Sequence, residues 1–237
     1  MRAIILAGGK GTRLQPYTTL IPKPLVPIGG KYSIMEVIIK QLTRAGFTHI
    51  TVAVNHLANL IMAYFGDGSK WGIKLDYSFE DKPMGTIGPL GLIKNLPKNF
   101  LVMNGDVLCN LDYKHFFDNH VAQDAEVSVS SYKRIVNIDF GTLQYDESGN
   151  LLTFAEKPSY EFDVSMGVYC LNRIVVDRLK PGQAFGFDDL MLESIKNERK
   201  VHIYPFSDYW LDIGRPEDYQ TVNEQFDDIS KLVGIEA

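Results

Sequence analysis

The stretch LAGGKGTRL, residues 6–14, combines three glycines with a lysine and an arginine directly after an apolar run. Glycines leave backbone N–H groups open to an anion, and an arginine adds a planar fork of donors that is always charged. We therefore predict a phosphate site, to which the strand end and the loop contribute Leu6, Ala7, Gly8, Gly9, Gly11, Thr12 and Arg13. The alternative is an ordinary glycine-rich turn at the surface.

Two familiar phosphate-binding loops do not fit this stretch. A Walker loop needs Ser or Thr after its lysine and Gly six positions before it, whereas Lys10 is followed by Gly11 and preceded at that distance by Ile4. The dinucleotide fingerprint G-x-G-x-x-G begins correctly at Gly9 but ends on Leu14. Taken alone, the loop therefore indicates only an anion.

Two aspartates follow apolar runs, where an unpaired carboxylate is costly to bury. Asp106 ends the run NFLVMNGD, and Asp212 lies within YWLDIG. Mg²⁺ prefers oxygen ligands and is commonly held by one or two carboxylates together with substrate phosphates. Each aspartate taken alone is equally well explained as a helix cap or a turn residue.

The elements that must position these residues alternate between strand and helix in the first half of the chain. Strands are predicted over residues 2–7, 49–54, 73–80 and 99–106, and helices over 33–46, 56–66 and 88–96. Ser33 and Glu36 predict a capping box at the start of the first helix. This order predicts a mostly parallel sheet with helices on both faces, and ligands bind beyond the carboxyl ends of such strands.

The second half of the chain reads as an antiparallel insertion in the same α/β unit. Strands are predicted over 126–133, 140–146, 151–158 and 164–172, with a hairpin turn at DESGN, residues 146–150. A helix over 187–200, strands around VHIYPF and YWLDI, and a last helix from Pro216 complete the pattern. Residues 14–30 contain four prolines and predict a long, ordered loop.

The composition excludes several classes of protein. The chain of 237 residues has a formal net charge of −5, which argues against a nucleic-acid-binding protein, since such proteins carry a basic face. It contains no signal peptide and no apolar run long enough to span a membrane, so we expect a cytoplasmic protein without a membrane partner.

Several motifs together resemble the sugar nucleotidyltransferases. The stretch GGKGTRL-x-P-x-T is followed by PKPLVPI, and NGD, FGTL, FAEKP, SMGVYCL and WLDIGRPEDY recur in family order up to about residue 225. The resemblance implies a Rossmann-like nucleotidyltransferase domain over 1–225, with 226–237 as a tail that carries no β-helix of hexapeptide repeats. It also implies transfer of a nucleotidyl group from a nucleoside triphosphate to a sugar 1-phosphate, with Mg²⁺ as the cofactor and release of pyrophosphate. A homodimer through this domain stays open.

The resemblance also assigns roles to individual residues. It implies that Arg13 and Lys23 meet the phosphates and that Asp106 and Asp212 hold the metal, and these four form the predicted catalytic set. The sugar-phosphate site is predicted from Gly141, Glu156, Lys157 and Gly167. The family often has Asn where this chain has Ser165, which favours a non-standard sugar.

The segment FEDKPMGTIGPLG, residues 79–91, resembles GDP-mannose pyrophosphorylases more than thymidylyltransferases. Guanine presents two adjacent N–H donors that one carboxylate accepts as a pair, and Glu80 or Asp81 is the candidate acceptor. Gly85 is predicted to let the base approach the backbone. We therefore expect GTP as the nucleotide, with mannose 1-phosphate or a manno-heptose 1-phosphate as the sugar. If both acids merely end a surface strand, this assignment fails.

Two other functions remain open from the sequence. One is a thymidylyl-, cytidylyl- or uridylyltransferase that acts on glucose 1-phosphate. The other is a regulatory relative that binds a sugar nucleotide without reacting, although such a protein would be expected to have lost one of the four predicted catalytic residues.

Overall fold

The computed structural model describes residues 1–235 and is built around a seven-stranded sheet. Within that range the strands are β1 (Arg2–Ala7), β2 (Pro27–Ile28), β3 (Tyr32–Ser33), β4 (His49–Val54), β5 (Lys74–Phe79), β6 (Asn99–Asn104), β7 (Val107–Cys109), β8 (Val127–Asn137), β9 (Thr142–Tyr145), β10 (Leu151–Ala155), β11 (Ser159–Asn172), β12 (Val201–Phe206) and β13 (Trp210–Asp212). The helices are α1 (Ile34–Arg44), α2 (Ala58–Phe65), α3 (Tyr113–Gln123), α4 (Ile174–Asp177), α5 (Phe187–Lys196), α6 (Pro216–Glu224) and α7 (Phe226–Leu232). No helix within residues 1–235 is long and apolar enough to cross a membrane.

The sheet has the strand order β12-β8-β11-β6-β1-β4-β5. Neighbouring strands are parallel except at β11, which runs antiparallel to both β6 and β8. The prediction of a mixed, mostly parallel sheet is therefore confirmed, and small antiparallel pairs lie beside it.

Successive residues of β1 face opposite sides of the sheet, and both sides are buried. Ala3 and Ile5 pack in one apolar cluster with residues of α1, α2 and α3. Ile4 packs in a second cluster that includes Val175 of α4 and Leu190 of α5. A strand covered on both faces is continuously apolar, which explains the run RAIILA and confirms that helices lie on both faces.

The first helix begins as predicted, but its capping box is only half formed. The Ser33 hydroxyl accepts the Glu36 backbone N–H at 3.2 Å. The Glu36 carboxylate, however, accepts a hydrogen bond from Tyr64 Oη at 3.1 Å and lies 3.7 Å from Lys40 Nζ. Tyr64 of α2 and Lys40, one turn further along α1, therefore hold the Glu36 carboxylate. In a complete capping box, that carboxylate would accept the Ser33 backbone N–H.

Three other local predictions were incomplete or wrong. The segment 88–96 is only a 3-10 turn over Gly88–Leu92, at whose start the N–H groups of Ile87 and Gly88 donate to the Phe185 carbonyl. Its two glycines disfavour a longer helix. Helix α3 and strand β7 were not predicted. The helix from Pro216 is followed by a second helix, α7, within the predicted tail, and apolar side chains of α7 pack in the main core. Glu236 and Ala237, at the end of that segment, lie outside the described residues.

The antiparallel insertion extends away from the sheet. Beyond the region that neighbouring strands cover, β8 and β11 continue as a pair, with Lys133 opposite Asp163 and Asn137 opposite Ser159. The hairpin β9–β10 follows from their end, and its turn is closed by the Asp146 N–H to the Asn150 carbonyl, as predicted. We call residues 133–163 the arm.

Candidate active site

A cavity of about 470 Å³ lies at the carboxyl ends of β1, β4, β5 and β6, where the glycine loop leaves β1. Ligands of open α/β sheets bind at this edge. Six of the residues predicted to bind the nucleotide line it, namely Leu6, Gly8, Gly9, Glu80, Gly85 and Asp106. Motif and topology therefore indicate the same location.

The cavity also contains polar residues that were not predicted, namely Lys10, Asn55, Thr86 and Asn104. Lys10 belongs to the glycine loop, so the motif itself contained the signal for it. Asn55 and Asn104 lie at the carboxyl ends of β4 and β6. Because ligands bind at the carboxyl ends of such strands, the predicted strands could have indicated both residues. No local signal marks Thr86.

The Glu80 side chain lies against the glycine loop. A Cβ added at Gly8 would lie 2.5 Å from Glu80 Oε1, so glycine at position 8 leaves room for the carboxylate. Glu80 Oε2 accepts the Met84 backbone N–H at 3.1 Å. Burial raises the pKa of this carboxyl, and the Met84 hydrogen bond opposes that rise in part. The carboxylate is thus held in place and keeps free acceptor positions toward the cavity.

The structure separates the two acids that were candidates for contacting the base. Glu80 lines the cavity, whereas Asp81 is exposed outside it. Gly85 has a φ of 77°, and a Cβ there would lie 2.7 Å from the Phe185 carbonyl oxygen. Packing against Phe185 is thus one reason for glycine at this position. Gly85 also lines the cavity, and the close approach of a base to it stays a prediction.

The glycine loop tightens into a 3-10 turn over Thr12–Leu14 that starts from Gly11, whose φ is 64°. Thr18 Oγ1 donates to the Gly11 carbonyl at 2.7 Å and fixes this bend. In the described part of the chain, no hydrogen bond uses the backbone N–H of Gly9, Lys10 or Gly11. Open N–H groups beside a basic side chain are what an anion site of this type requires.

Lys23 and Asp106 form an ion pair near the loop. Lys23 Nζ donates to Asp106 Oδ2 at 2.5 Å, and only 11% of the lysine and 22% of the aspartate side chain are exposed. Asp106 lies on the turn between β6 and β7, two residues past the strand end. Its other oxygen, Oδ1, is buried without a hydrogen-bond partner among residues 1–235. A buried acceptor without a partner is costly, so the arrangement suits a cation or donor that a ligand brings.

Asp212 reaches the same place through a pairing of short strands. The three residues of β13 pair with β7, and the Ile213 N–H donates to the Asp106 carbonyl at 3.0 Å. Burial and, next, the negative charge of Asp106 raise the pKa of the Asp212 carboxyl. Two cations, Lys23 and Arg13, oppose that rise. The two aspartates therefore interact although 106 positions separate them in the sequence.

Arg13 extends from the glycine loop to this pair of aspartates. A Cβ placed on Gly214 would lie 3.3 Å from Asp212 Oδ2 and 3.6 Å from Arg13 Nη2. Both side chains therefore flank one backbone position. The structure thus brings together the four residues predicted as catalytic, from four separate parts of the chain. Their roles remain predictions.

The two aspartates offer oxygen donors that suit Mg²⁺. Among residues 1–235, His, Cys, Asp and Glu side chains form no group of three or more that could hold a metal ion. Mg²⁺ needs no such cage, because it keeps several waters and binds through one or two carboxylates plus substrate phosphates. The unpartnered Oδ1 of Asp106, with Asp212 beside it, fits this donor set.

Residues 14–30, which we call the proline-rich loop, are held from outside by the last two helices. Tyr219 Oη donates to the Pro27 carbonyl at 2.8 Å. The Gly29 N–H donates to Asn223 Oδ1 at 2.9 Å. Phe226 packs directly on Gly29, because a Cβ there would lie 2.1 Å from Phe226 Cδ1. The C-terminal helices therefore position the loop that carries the lysine of the ion pair.

Gly167 is the predicted sugar-phosphate residue that lies near the cavity. Its φ is 77°, and a Cβ there would lie 2.6 Å from Asn104 Nδ2. Ser165, which stands where the family pattern has Asn, donates to Tyr169 Oη at 3.1 Å and accepts the Gly167 N–H. The serine hydroxyl is therefore engaged within the protein.

The other predicted sugar-phosphate residues lie on the arm. Gly141 and Glu156 are neighbours, since a Cβ on Gly141 would lie 3.1 Å from Glu156 Oε2. Lys157 follows with a φ of 44°, and both Glu156 and Lys157 are exposed. In the part of the chain that the structure describes, no hydrogen bond or ion pair joins these three residues to Asp106. The predicted sugar residues therefore form two groups.

A larger hollow of about 600 Å³ lies at the opposite, amino ends of the strands. The Arg2 guanidinium there already donates to Thr51 Oγ1 and to two backbone carbonyls. His49 Nε2 lies 2.5 Å from Asp76 Oδ2. None of the predicted site residues lines this hollow.

Comparison with known proteins places this geometry in context. The family model described as "Nucleotidyl transferase" matches residues 2–228. The Mannose-1-phosphate guanyltransferase of Schizosaccharomyces pombe is 34% identical over 231 residues, which cover 93% of this chain and 63% of the relative. The UTP--glucose-1-phosphate uridylyltransferase of Synechocystis sp. is 33% identical over 239 residues, which cover 92% and 61%. The chain thus spans less than two thirds of the length of these curated relatives.

Among solved structures, HddC from Yersinia pseudotuberculosis complexed with GMP-PN superposes with a TM-score of 0.72. The two sequences are 28% identical, and the match covers 95% of this chain and 99% of that one. A second structure, described as "a Putative Glucose-1-Phosphate Thymidylyltransferase from Bacillus anthracis", also has a TM-score of 0.72. Its sequence is 24% identical to this chain, so it supports the fold alone.

Proposed function

Because the chain belongs to the nucleotidyl transferase family, we propose that it transfers a guanylyl group from GTP to a sugar 1-phosphate. Membership confirms the resemblance drawn from the sequence motifs. In the proposed reaction, an oxygen of the sugar phosphate forms a bond to the α-phosphorus of GTP. The bond from that phosphorus to the bridging oxygen breaks, and pyrophosphate leaves with the electron pair. The products are a nucleoside-diphosphate sugar and pyrophosphate.

The choice of GTP is carried by one observation, the half-buried Glu80 carboxylate at the wall of the cavity. Guanine offers N1–H and the 2-amino group side by side, and one carboxylate accepts both. Uracil and thymine offer one N–H between two carbonyl acceptors, which a fixed carboxylate would repel. The HddC structure with GMP-PN and the guanyltransferase from S. pombe support the same choice.

The main barrier to this reaction is charge, since both substrates are anions. Arg13 and the open N–H groups of the glycine loop are suited to the β- and γ-phosphates of the triphosphate. Lys23, paired with Asp106, is suited to the phosphate where the bond changes. No strong general base is needed, because a sugar phosphate is already ionised near neutral pH.

Asp106 and Asp212 would hold Mg²⁺, which when bound neutralises phosphate charge and orients the phosphate oxygens. Within the described chain, Lys23 binds one oxygen of Asp106, and the other oxygen has no hydrogen-bond partner. Arg13 opposes the rise in the pKa of Asp212 and so helps to keep that carboxylate ionised. Lys23 and Arg13, which would contact the substrate phosphates, thus also stabilise the charged carboxylates that would bind the metal.

For the sugar, we propose mannose 1-phosphate or a manno-heptose 1-phosphate. The guanyltransferase relative supports mannose. The engaged hydroxyl of Ser165 favours a pocket that differs from the usual family pattern. In this proposal Glu156 accepts hydrogen bonds from sugar hydroxyls and Lys157 meets the sugar phosphate. Glucose 1-phosphate with UTP is the second candidate, because the Synechocystis relative has that name at nearly the same identity.

A panel of substrates tests the proposal. Purified protein with Mg²⁺ is given GTP, UTP, dTTP or CTP, each crossed with mannose, manno-heptose and glucose 1-phosphate, and pyrophosphate release is measured. We expect the highest kcat/KM for GTP with a manno sugar. Faster turnover of UTP, dTTP or CTP would overturn the base assignment but leave the reaction class intact.

The matched variant for this panel is Asp106→Asn, which keeps the shape of the side chain and removes its charge. We expect it to abolish pyrophosphate release with every substrate pair while the protein remains folded. Unchanged release would refute the metal role of Asp106.

A further inference from the structure

The hollow at the amino ends of the central strands is separate from the candidate active site. Its lining includes the first residue of each of four neighbouring strands, namely Arg2 of β1, His49 of β4, Lys74 of β5 and Asn99 of β6. The candidate active site lies at the opposite ends of the same strands. A strand of six residues is about 20 Å long, so a ligand in this hollow would not contact the catalytic residues. We call it the amino-end hollow.

Arg2 forms a fixed, buried part of the wall of the amino-end hollow. Its side chain is 9% exposed. Burial lowers the pKa of the guanidinium, and the charge of Asp76 opposes that change. Nε and Nη2 both donate to Thr51 Oγ1, and Nη1 donates to the carbonyl oxygens of Lys94 and Asn95. These bonds fix the guanidinium and hold the loop before β6 beside it.

Asp76 is the one acidic side chain that lines the hollow within residues 1–235, and it lies near three bases. Its Oδ2 is 2.5 Å from His49 Nε2 and 3.9 Å from Arg2 Nη2, and its Oδ1 is 3.5 Å from Lys74 Nζ. Burial raises the pKa of Asp76, but the hydrogen bonds and charges of His49 and Lys74 outweigh that effect and lower it. One carboxylate therefore serves several cations.

The lining of the amino-end hollow carries an excess of positive charge. Arg2, Lys74 and Lys94 are cationic, and Asp76 balances one of them, so two positive charges remain even with His49 neutral. This excess occurs in a chain whose formal net charge is −5. A buried cation is costly unless a negative charge pairs with it. An anion from solution would supply the missing charge.

Other groups of the lining suit an anion that also carries a ring. In the described range 1–235, no hydrogen bond uses the backbone N–H of Lys94 or Asn95, and open N–H groups attract anions. Pro97 and Phe117 make part of the wall apolar. The Phe117 ring meets the Phe47 ring edge to face, with 5.8 Å between centroids, and so has a fixed place. The volume of about 600 Å³ is that of a small-molecule site.

We propose that the amino-end hollow binds a small phosphate monoester whose uncharged ring lies against Phe117. A phosphate monoester carries a charge of about −1.5 to −2 near neutral pH and offers three acceptor oxygens. That charge matches the excess of two positive charges, whereas a carboxylate would balance only one. Lys74 and Lys94 would contact the phosphate, and Arg2 would contribute its charge from the wall. None of the residues assigned to the proposed reaction lines the hollow, so this site does not depend on that reaction.

The test uses phenyl phosphate as the probe and phenol as its uncharged counterpart. Nuclear magnetic resonance of the full chain, labelled with ¹⁵N, records the amide signals while each compound is added. We expect phenyl phosphate to shift the signals of His49, Asn95 and Phe117 until they saturate. Phenol should bind there at least ~10-fold more weakly, because it lacks the charge-assisted contacts.

The double variant Lys74→Gln/Lys94→Gln removes two cations from the lining and keeps most of the length of each side chain. We expect it to raise the dissociation constant of phenyl phosphate at least ~10-fold, for the loss of two charge-assisted contacts. The matched control is Lys98→Gln/Lys196→Gln, which removes the same charge from exposed lysines outside the hollow. It should change the dissociation constant less than ~3-fold, because salt screens distant charges.

Three outcomes would overturn the proposal. The first is the absence of saturable shifts at the hollow in wild type, including the case in which shifts occur only at the glycine loop. The second is equal affinity for phenol and phenyl phosphate, which would exclude recognition of the phosphate. The third is equal weakening by the control and the lysine pair, which would reduce the effect to net charge. Circular dichroism verifies that both variants fold, and the wild-type shifts decide the question even if a variant does not fold.

Discussion

The substitution Glu80→Gln tests how the base is read. It keeps the shape of the side chain and the acceptor for the Met84 N–H, which Glu80 Oε2 binds at 3.1 Å. It replaces the other oxygen by an NH₂ group, which would point a donor at a donor of guanine. The free energy of unfolding should stay unchanged or rise, because burial already disfavours the charged form of Glu80 and raises its pKa.

The expected loss follows from the contacts. The glutamine removes one of two charge-assisted hydrogen bonds, each worth about 1.5–3 kcal/mol, and leaves a donor of guanine without a partner. A loss of about 2.7 kcal/mol corresponds to a ~100-fold lower kcat/KM for GTP. The kcat/KM for UTP should stay constant or rise, because the amide donates to a uracil carbonyl that a carboxylate repels.

Steady-state kinetics with GTP and UTP measures this change, and Asp81→Asn is the matched control. Asp81 is adjacent in sequence but exposed outside the cavity, so its variant should behave as wild type. The pH profile provides a second readout. Since the carboxylate accepts and its pKa is raised, wild-type kcat/KM for GTP should fall as the pH falls through that pKa, and the variant should lack this limb. Equal kinetics for wild type and Glu80→Gln would refute this account of base recognition.

Three further predictions follow from the same site. Gly8→Ala should lower kcat/KM for GTP by ~10–100-fold because its Cβ would displace the base-binding carboxylate. The control Gly91→Ala, which lies outside the cavity and whose Cβ would have its nearest atom at 3.7 Å, should leave the kinetics unchanged, and equal losses would contradict this. Asp212→Asn should lower kcat by ~10³-fold yet raise the free energy of unfolding at pH 7 by ~0.5–2 kcal/mol, because a raised folded-state pKa means that the charged form strains the native state. Urea titrations should show that gain shrinking once the pH falls below the folded-state pKa and gone below the unfolded-state pKa, and a gain that persists there would argue against the assigned cause. Lys23→Met should cost ~1.5–3 kcal/mol of unfolding free energy by leaving Asp106 without its cation, and the double variant with Asp106→Asn should recover part of it; additive losses would show that the pair is not coupled.

The parts of the fold that local sequence signals determine were predicted well. The strand Arg2–Ala7 has the predicted bounds, because a strand buried on both faces is continuously apolar and the glycine after it ends the run. The carboxyl-end location of the cavity followed from the alternation of strands and helices. These inferences need only near neighbours in the chain.

The details of the site depend on contacts between distant segments, and the sequence does not contain them in readable form. The choice of Glu80 over Asp81 depends on which acid turns toward Gly8, a contact across the sheet edge. Asp212 lies beside Asp106 because three residues of β13 pair with three of β7, and runs this short have no periodicity to detect. Family resemblance, and not spacing, had grouped those two aspartates.

The arm illustrates a different limit. Alternation predicted the hairpin over 140–158 and its turn, and the structure has both. Alternation states that one face is apolar, but whether that face meets a core depends on where the rest of the chain lies. The exposure of Leu143, Tyr145, Leu151 and Phe154 on this face is therefore evident only from the three-dimensional structure.

The contacts of α6 and α7 with the proline-rich loop affect the order in which parts of the protein fold during synthesis. The loop leaves the ribosome early, whereas Tyr219 and Asn223, which hold it, lie 192 and 194 positions after their partners. A nascent chain can assemble β1, β4 and β6 long before those helices exist, since domains begin to fold from the N-terminal side. The loop that carries Lys23, however, gains the support of these helices only after residues 216–232 have been made. Synthesis would thus yield a formed sheet first and a working site last, so that a prematurely released chain is folded in part but inert.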